Sequence, residues 1–186
     1  MLIPLPVEGD TPRDRLAMGL GWDPPRWGIF RRQRPHDVDL NANALLFDGV
    51  ELVDVVYSEQ LSAADGAVRL QGDNLTGDGT GDDELLTIEL TRLPERVTAV
   101  LLLVTSYTGQ TFDDIRNGFC RLLDTRTGTE IVRHTLLRGP HTGMVMGVIV
   151  RAADESGWLY REVAAGIQAR HPVEALPHLT GYLSRP

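Results

Sequence analysis

Residues 44–57 read ALLFDGVELVDVVY. Two apolar runs flank Asp48-Gly49, and Asp-Gly supplies the positive φ that a tight antiparallel turn demands. The stretch predicts a β-hairpin, and the same punctuation recurs on both sides of it. AADGAVRL (63–70) places a second Asp-Gly turn before a strand, and LLTIEL (85–90) alternates with apolar residues at 86, 88 and 90. That period of two marks a strand with one buried face. RVTAVLLLVTSY (96–107) is β-branched and nearly continuous in apolar residues, which suits a strand buried on both faces. GFCRLLDTRTGTEIVRHTLL (118–137) reads as strand, turn at Thr127-Gly128, strand, and GMVMGVIVR (143–151) pairs with GWLYREVAAG (157–166) across Asp154–Gly157. LAMGLGWD (16–23) is a further short strand. About eight to ten short strands between turn signals imply an all-β sandwich or barrel. Helix is confined to a capped turn at TFDDIRN (111–117), with Thr111 as cap and Asp114 three residues on, and to a short helix opened by Pro172.

Residues 1–14, rich in proline and charge, read as a loose lead-in, and residues 15–186 as one domain. The 186-residue chain is 42% hydrophobic and 24% charged, an ordinary globular composition. Its net charge of −8 argues against a nucleic-acid partner, which needs a basic face, and against anionic membranes. The one cysteine, Cys120, excludes an internal disulfide and a Cys-based zinc cluster, and its apolar setting predicts a buried thiol. The first residues show no signal-peptide pattern and no apolar run approaches the length of a membrane span, so a cytoplasmic location is expected.

The chemistry concentrates in GDNLTGDGTGDDE (72–84), where Asp73, Asp78, Asp82, Asp83 and Glu84 are interleaved with glycine and no basic residue. Two carboxylates about 6 Å apart repel by nearly 3 kcal/mol at an effective dielectric near 20. A folded loop accepts this only around a cation, whereas a solvated loop spreads its charges, and both readings stand on the residues alone. Oxygen-only donors with flexible glycines favour calcium over zinc, and magnesium ranks second. An EF-hand alignment fails, because the required glycine is Asp78. A single GDGTGDD unit cannot stack as a calcium β-roll. The loop lacks the lysine of a phosphate-binding P-loop. The five histidines, including His36, form no catalytic or metal motif, and Trp22, Trp27 and Trp158 suit packing. The arginine-rich segment 24–38 reads as a solvated loop or an anion-binding surface.

GDNLTGDGTGDDE closely resembles the signature of the TerD family of tellurium-resistance and stress-response proteins. MGLGWD (18–23), DLNANALLF (39–47), SEQLSAADGAV (58–68) and GQTFDDIRNGFCRLLDTRTGTEI (109–131) are similar to further stretches of that family, so the resemblance spans about residues 15–183. It implies a two-sheet β-sandwich with one or two short helices, binding one or two calcium ions at one end. Carried over by position, the implied ligands are Asp39, Asn41, Asp73, Asn74, Asp78, Asp82, Asp83 and Glu84, with Asp23 as an additional candidate. Asn41 and Thr80 stand where the family pattern has Asp, which removes two charges from the ligand set. The implied function is non-enzymatic: a calcium-binding stress-response protein whose acidic loop, once ordered, presents a surface to a protein partner. The rivals are a divalent-metal-dependent hydrolase built on the acidic cluster, and an interaction module with purely structural calcium.

Overall fold

The Asp48-Gly49 hairpin forms, with one shift from the expected turn. A computed structural model of the protein describes residues 1–6, 9, 12–23, 38–71, 81–136, 138–153 and 157–183. In it Asp48 pairs directly with Glu51, so Gly49, at φ 60°, is the first of two loop residues. That is the position at which type II′ turns place glycine.

Among the described residues twelve strands follow in chain order: β1 (Leu2–Leu5), β2 (Arg15–Asp23), β3 (Leu40–Asp48), β4 (Glu51–Val56), β5 (Ser62–Ala63), β6 (Val68–Leu70), β7 (Glu84–Glu89), β8 (Ala99–Ser106), β9 (Arg116–Asp124), β10 (Thr129–Thr135), β11 (Gly143–Arg151) and β12 (Trp158–Ile167). They form two six-stranded sheets, β1-β12-β11-β8-β3-β4 and β10-β9-β2-β7-β6-β5. Every described pairing is antiparallel. Of the sandwich and barrel that the strand spacing allowed, this is the sandwich, as the resemblance implied.

The strand patterns show why the sheets stack. In β7 Leu86 and Ile88 are buried while Leu85, Thr87 and Glu89 are half-exposed. Leu16, Met18, Leu20 and Trp22 of β2 join them, with Leu40, Ala42, Ala44 and Leu46 of β3, in the core between the sheets. Burying each such large apolar side chain is worth about 1.5–3 kcal/mol. Strand β8 is buried along its whole length, as its continuous apolar run requires. Its second face meets a smaller core of Leu45, Phe47, Leu101, Leu103, Val145 and Val148, closed by Ala175, Leu179 and Leu183. These last three come from the C-terminal segment, where helix α1 (Pro172–Ala175) leads into 3-10 turns. Pro172 opens α1, and His171 caps it by accepting from the Val173 amide.

Two expectations need correction. Residues 2–5 are not loose: they pair with β12 as an edge strand, and Leu5 is fully buried in the core. Proline is tolerated on an edge, where its missing N–H costs no ladder bond, so Pro4 concealed a strand rather than excluding one. The 111–117 stretch forms no helix: it makes a turn, in which the Thr111 hydroxyl donates to the Asp114 carboxylate at 3.1 Å and the Asp114 amide donates to the Thr111 carbonyl, and then enters β9 at Arg116. Trp22 and Trp158 are packed residues, each 3% exposed. Cys120 is buried, and burial pushes its thiol up to about 12, so it stays protonated throughout the physiological range. Among the described residues, no helix is long and apolar enough to cross a membrane.

Candidate functional site

Antiparallel pairing gathers the ends of β2, β8 and β12 and the starts of β3, β7, β9 and β11 at one end of the sandwich. That end holds the described part of the acidic segment. Register sets it there: Leu20 of β2 faces Glu84 of β7, and Asp23 of β2 faces Arg116 of β9. Asp73, Asn74, Asp78 and Thr80 lie outside the described residues, as do Trp27, His36 and the arginines of the 24–37 segment.

Glu84 continues the alternation of β7 and points between the sheets, where it is 1% exposed. Its Oε2 accepts from the Ala42 amide of the opposite sheet at 2.6 Å. Ala42 lies beyond the last residue that β4 pairs with, so its amide needs an acceptor from elsewhere. Asp83 extends the β2–β7 ladder: its amide donates to the Leu20 carbonyl at 2.8 Å, and its Oδ2 accepts from the Trp22 amide at 2.9 Å. The Trp22 indole then donates to the Val38 carbonyl at 3.1 Å, tying the end of β2 to the entry of β3.

Asp39 and Asn41 enter from that side. The Asp39 amide donates to the Thr108 hydroxyl at 3.1 Å, and its carbonyl accepts from Tyr107. The Asn41 amide group donates to Asp39 Oδ1 at 3.0 Å. Its own Oδ1 is buried and has no hydrogen-bond partner among the described residues. Leaving a buried acceptor so costs about 1–3 kcal/mol.

Two of the carried-over residues face elsewhere. Asp82 turns onto the outer face of the second sheet, where both carboxylate oxygens accept from the Arg121 guanidinium, at 2.9 and 2.8 Å. The hydrogen bond to Asp82 raises Arg121 further above its ordinary range, against the opposing effect of desolvation. The carboxylate fits because Gly19 lies beneath it: a Cβ there would sit 2.5 Å from Asp82. Gly21 likewise leaves room for the Gly81 carbonyl and the Phe119 ring. Asp23 accepts from the Asn117 side-chain amide at 2.6 Å. Among the described residues, no three His, Cys, Asp or Glu side chains converge closely enough to hold a metal ion. Sequence reading missed Arg121, Gly19 and Gly21. The available signal was glycine on every second residue of a strand, which leaves one face bare for a close approach.

A cavity of about 640 Å³ lies at the opposite end, lined by Leu90, Leu93, Glu95, Arg151 and Trp158 among others. Its arginine is a strut: it donates to the carbonyls of Leu93, Pro94 and Val97 and stacks on Trp158, with Cζ 4.3 Å from the ring centre. The convergent donors lie at the acidic end instead.

The profile of the TerD domain matches residues 7–175. The chain belongs to the TerD family. A tellurium resistance protein, TerZ of Serratia marcescens, is 40% identical over 144 residues, covering 74% of this chain and 73% of that one. General stress protein 16U of Bacillus subtilis is 28% identical over 164 residues, covering 83% of this chain and 81% of its own. A crystal structure of a TerD homologue from Streptomyces coelicolor superposes with a TM-score of 0.77 at 25% identity, covering 93% of this chain and 99% of that one. The TerD sandwich and the tellurium-resistance and stress-response membership are thus fixed together.

Proposed function

We propose that this TerD protein is a non-enzymatic calcium-binding stress protein whose ion-binding end becomes a surface for a protein partner. The buried Oδ1 of Asn41, without a partner among the described residues, carries the reading. Asp39, which accepts from the Asn41 side-chain amide, and Asp83 and Glu84, at the same end of the sandwich, are hard oxygen donors of the kind calcium takes six to eight of. Their donor chemistry suits the ion, with Asp73, Asn74 and Asp78 of the signature loop as the further ligands that would complete the set. One or two ions would be held. A bound calcium supplies positive charge that offsets the repulsion among clustered carboxylates. The protein's own contribution is to fix Glu84 against Ala42 and Asp83 against Trp22, so that the start of β7 is already positioned. Asn41 in place of the family's Asp keeps an oxygen donor but lowers the charge count, which favours moderate affinity.

Thermal unfolding tests the proposal. Relative to EDTA, calcium at a hundredfold its dissociation constant should stabilise the protein by about 2.7 kcal/mol per site, and magnesium by clearly less. An unfolding temperature indifferent to calcium would remove the reading.

A further inference from the structure

The outer face of the second sheet carries an unbroken chain of charge and ring contacts ending on the acidic segment. Arg133 of β10 stacks on Phe119, with Cζ 4.2 Å from the ring centre, and also holds Glu130 through its Nε at 3.1 Å. Glu130 Oε2 accepts from Arg121 at 3.2 Å, and Arg121 grips both oxygens of Asp82. Phe119 occupies the space that Gly21 leaves open, and Asp82 lies on Gly19. The Arg121 and Asp82 side chains are only 25% and 13% exposed. A bidentate arginine–carboxylate pair so shielded is geometrically specific, unlike a solvated surface pair. Residue 82 directly precedes Asp83 and Glu84, which bind the backbone of β2 and β3.

We propose that Asp82 is not a calcium ligand but an anchor, and that Arg121 is a positioning residue which, through Asp82, sets the register of the acidic segment at the cation site. This rests on the calcium reading above. The alternative role for the same contact has the opposite sign. Were Asp82 a ligand, Arg121 would be a resident cation competing with calcium, and its removal would tighten binding.

The test is calorimetric titration of calcium into the metal-free full-length wild type, Arg121→Gln, Asp82→Asn and the double variant, with each unfolding temperature recorded in EDTA. Asp82→Asn preserves side-chain shape, so it remains informative if Arg121→Gln folds poorly. The anchor predicts that each single change weakens calcium binding about tenfold at unchanged stoichiometry, and that the double variant is no weaker than either single. Three results overturn it: tighter binding in Arg121→Gln, loss of a calcium equivalent in Asp82→Asn, or wild-type affinity in both. A wild type that takes up no calcium overturns the underlying reading and this proposal with it. Wild-type uptake with insensitive variants overturns this proposal alone.

Discussion

Replacing Glu84 with alanine should destabilise the metal-free protein by about 3–4 kcal/mol, the sum of an orphaned amide and a cavity. The Glu84 carboxylate is the acceptor for the Ala42 amide at 2.6 Å, across the gap between the sheets. Its side chain is almost wholly buried beside the Leu86 and Ile88 row, so water cannot easily replace it. Glu84→Gln keeps the shape and one carbonyl oxygen for Ala42, and should cost no more than about half as much. The two variants separate structure from ion binding. The glutamine variant should fold, yet lose most of the calcium-induced stabilisation because a charged donor is gone. Denaturant unfolding in EDTA and in calcium provides both numbers. A Glu84→Ala variant within about 1 kcal/mol of wild type would show that the inter-sheet bond is not a significant support.

The second large effect is expected at Gly21. An added Cβ would lie 2.6 Å from the Gly81 carbonyl and from two atoms of the Phe119 ring. Neither neighbour can withdraw freely, because the first is backbone and the second is sandwiched by Arg133. Gly21→Ala should therefore cost about 2–3 kcal/mol, at the upper end of overpacking effects. Gly181→Ala is the matched control, since nothing lies within 4 Å of its Cβ position. Equal unfolding midpoints for the two variants would contradict the close approach of residue 81 to β2.

Much of this arrangement was legible in the sequence, for identifiable reasons. The period of two in β7 and the unbroken apolar run of β8 are direct consequences of one-sided and two-sided burial, so both strands were readable from composition alone. Even so, the Asp48-Gly49 turn was placed one residue off, because Gly49-Val50 rather than Asp48-Gly49 occupies the loop. Strand β1 was hidden by Pro4 and by its short length; its evidence is a pairing partner more than 150 residues away, at Trp158–Arg161. The site divides in the same way. Asp83 and Glu84 were marked by local carboxylate density, and the structure gives both of them backbone partners. Asp82 belongs to the same run, yet its partner is Arg121, 39 residues further on and read only as part of a strand. Local patterning identifies which residues carry charge. It does not say which cation each one meets, because that follows from sheet register and from the space two glycines leave on β2.

The central claim is that the end of the sandwich holding Asp39, Asn41, Asp83 and Glu84 binds calcium. Calorimetric titration of calcium into metal-free wild-type protein, repeated with Asp39→Asn and in excess magnesium, tests it most directly. The account predicts saturable uptake of one or two ions, persistence in magnesium, and clear weakening in the variant. Absence of saturable uptake, or a variant indistinguishable from wild type, would contradict it.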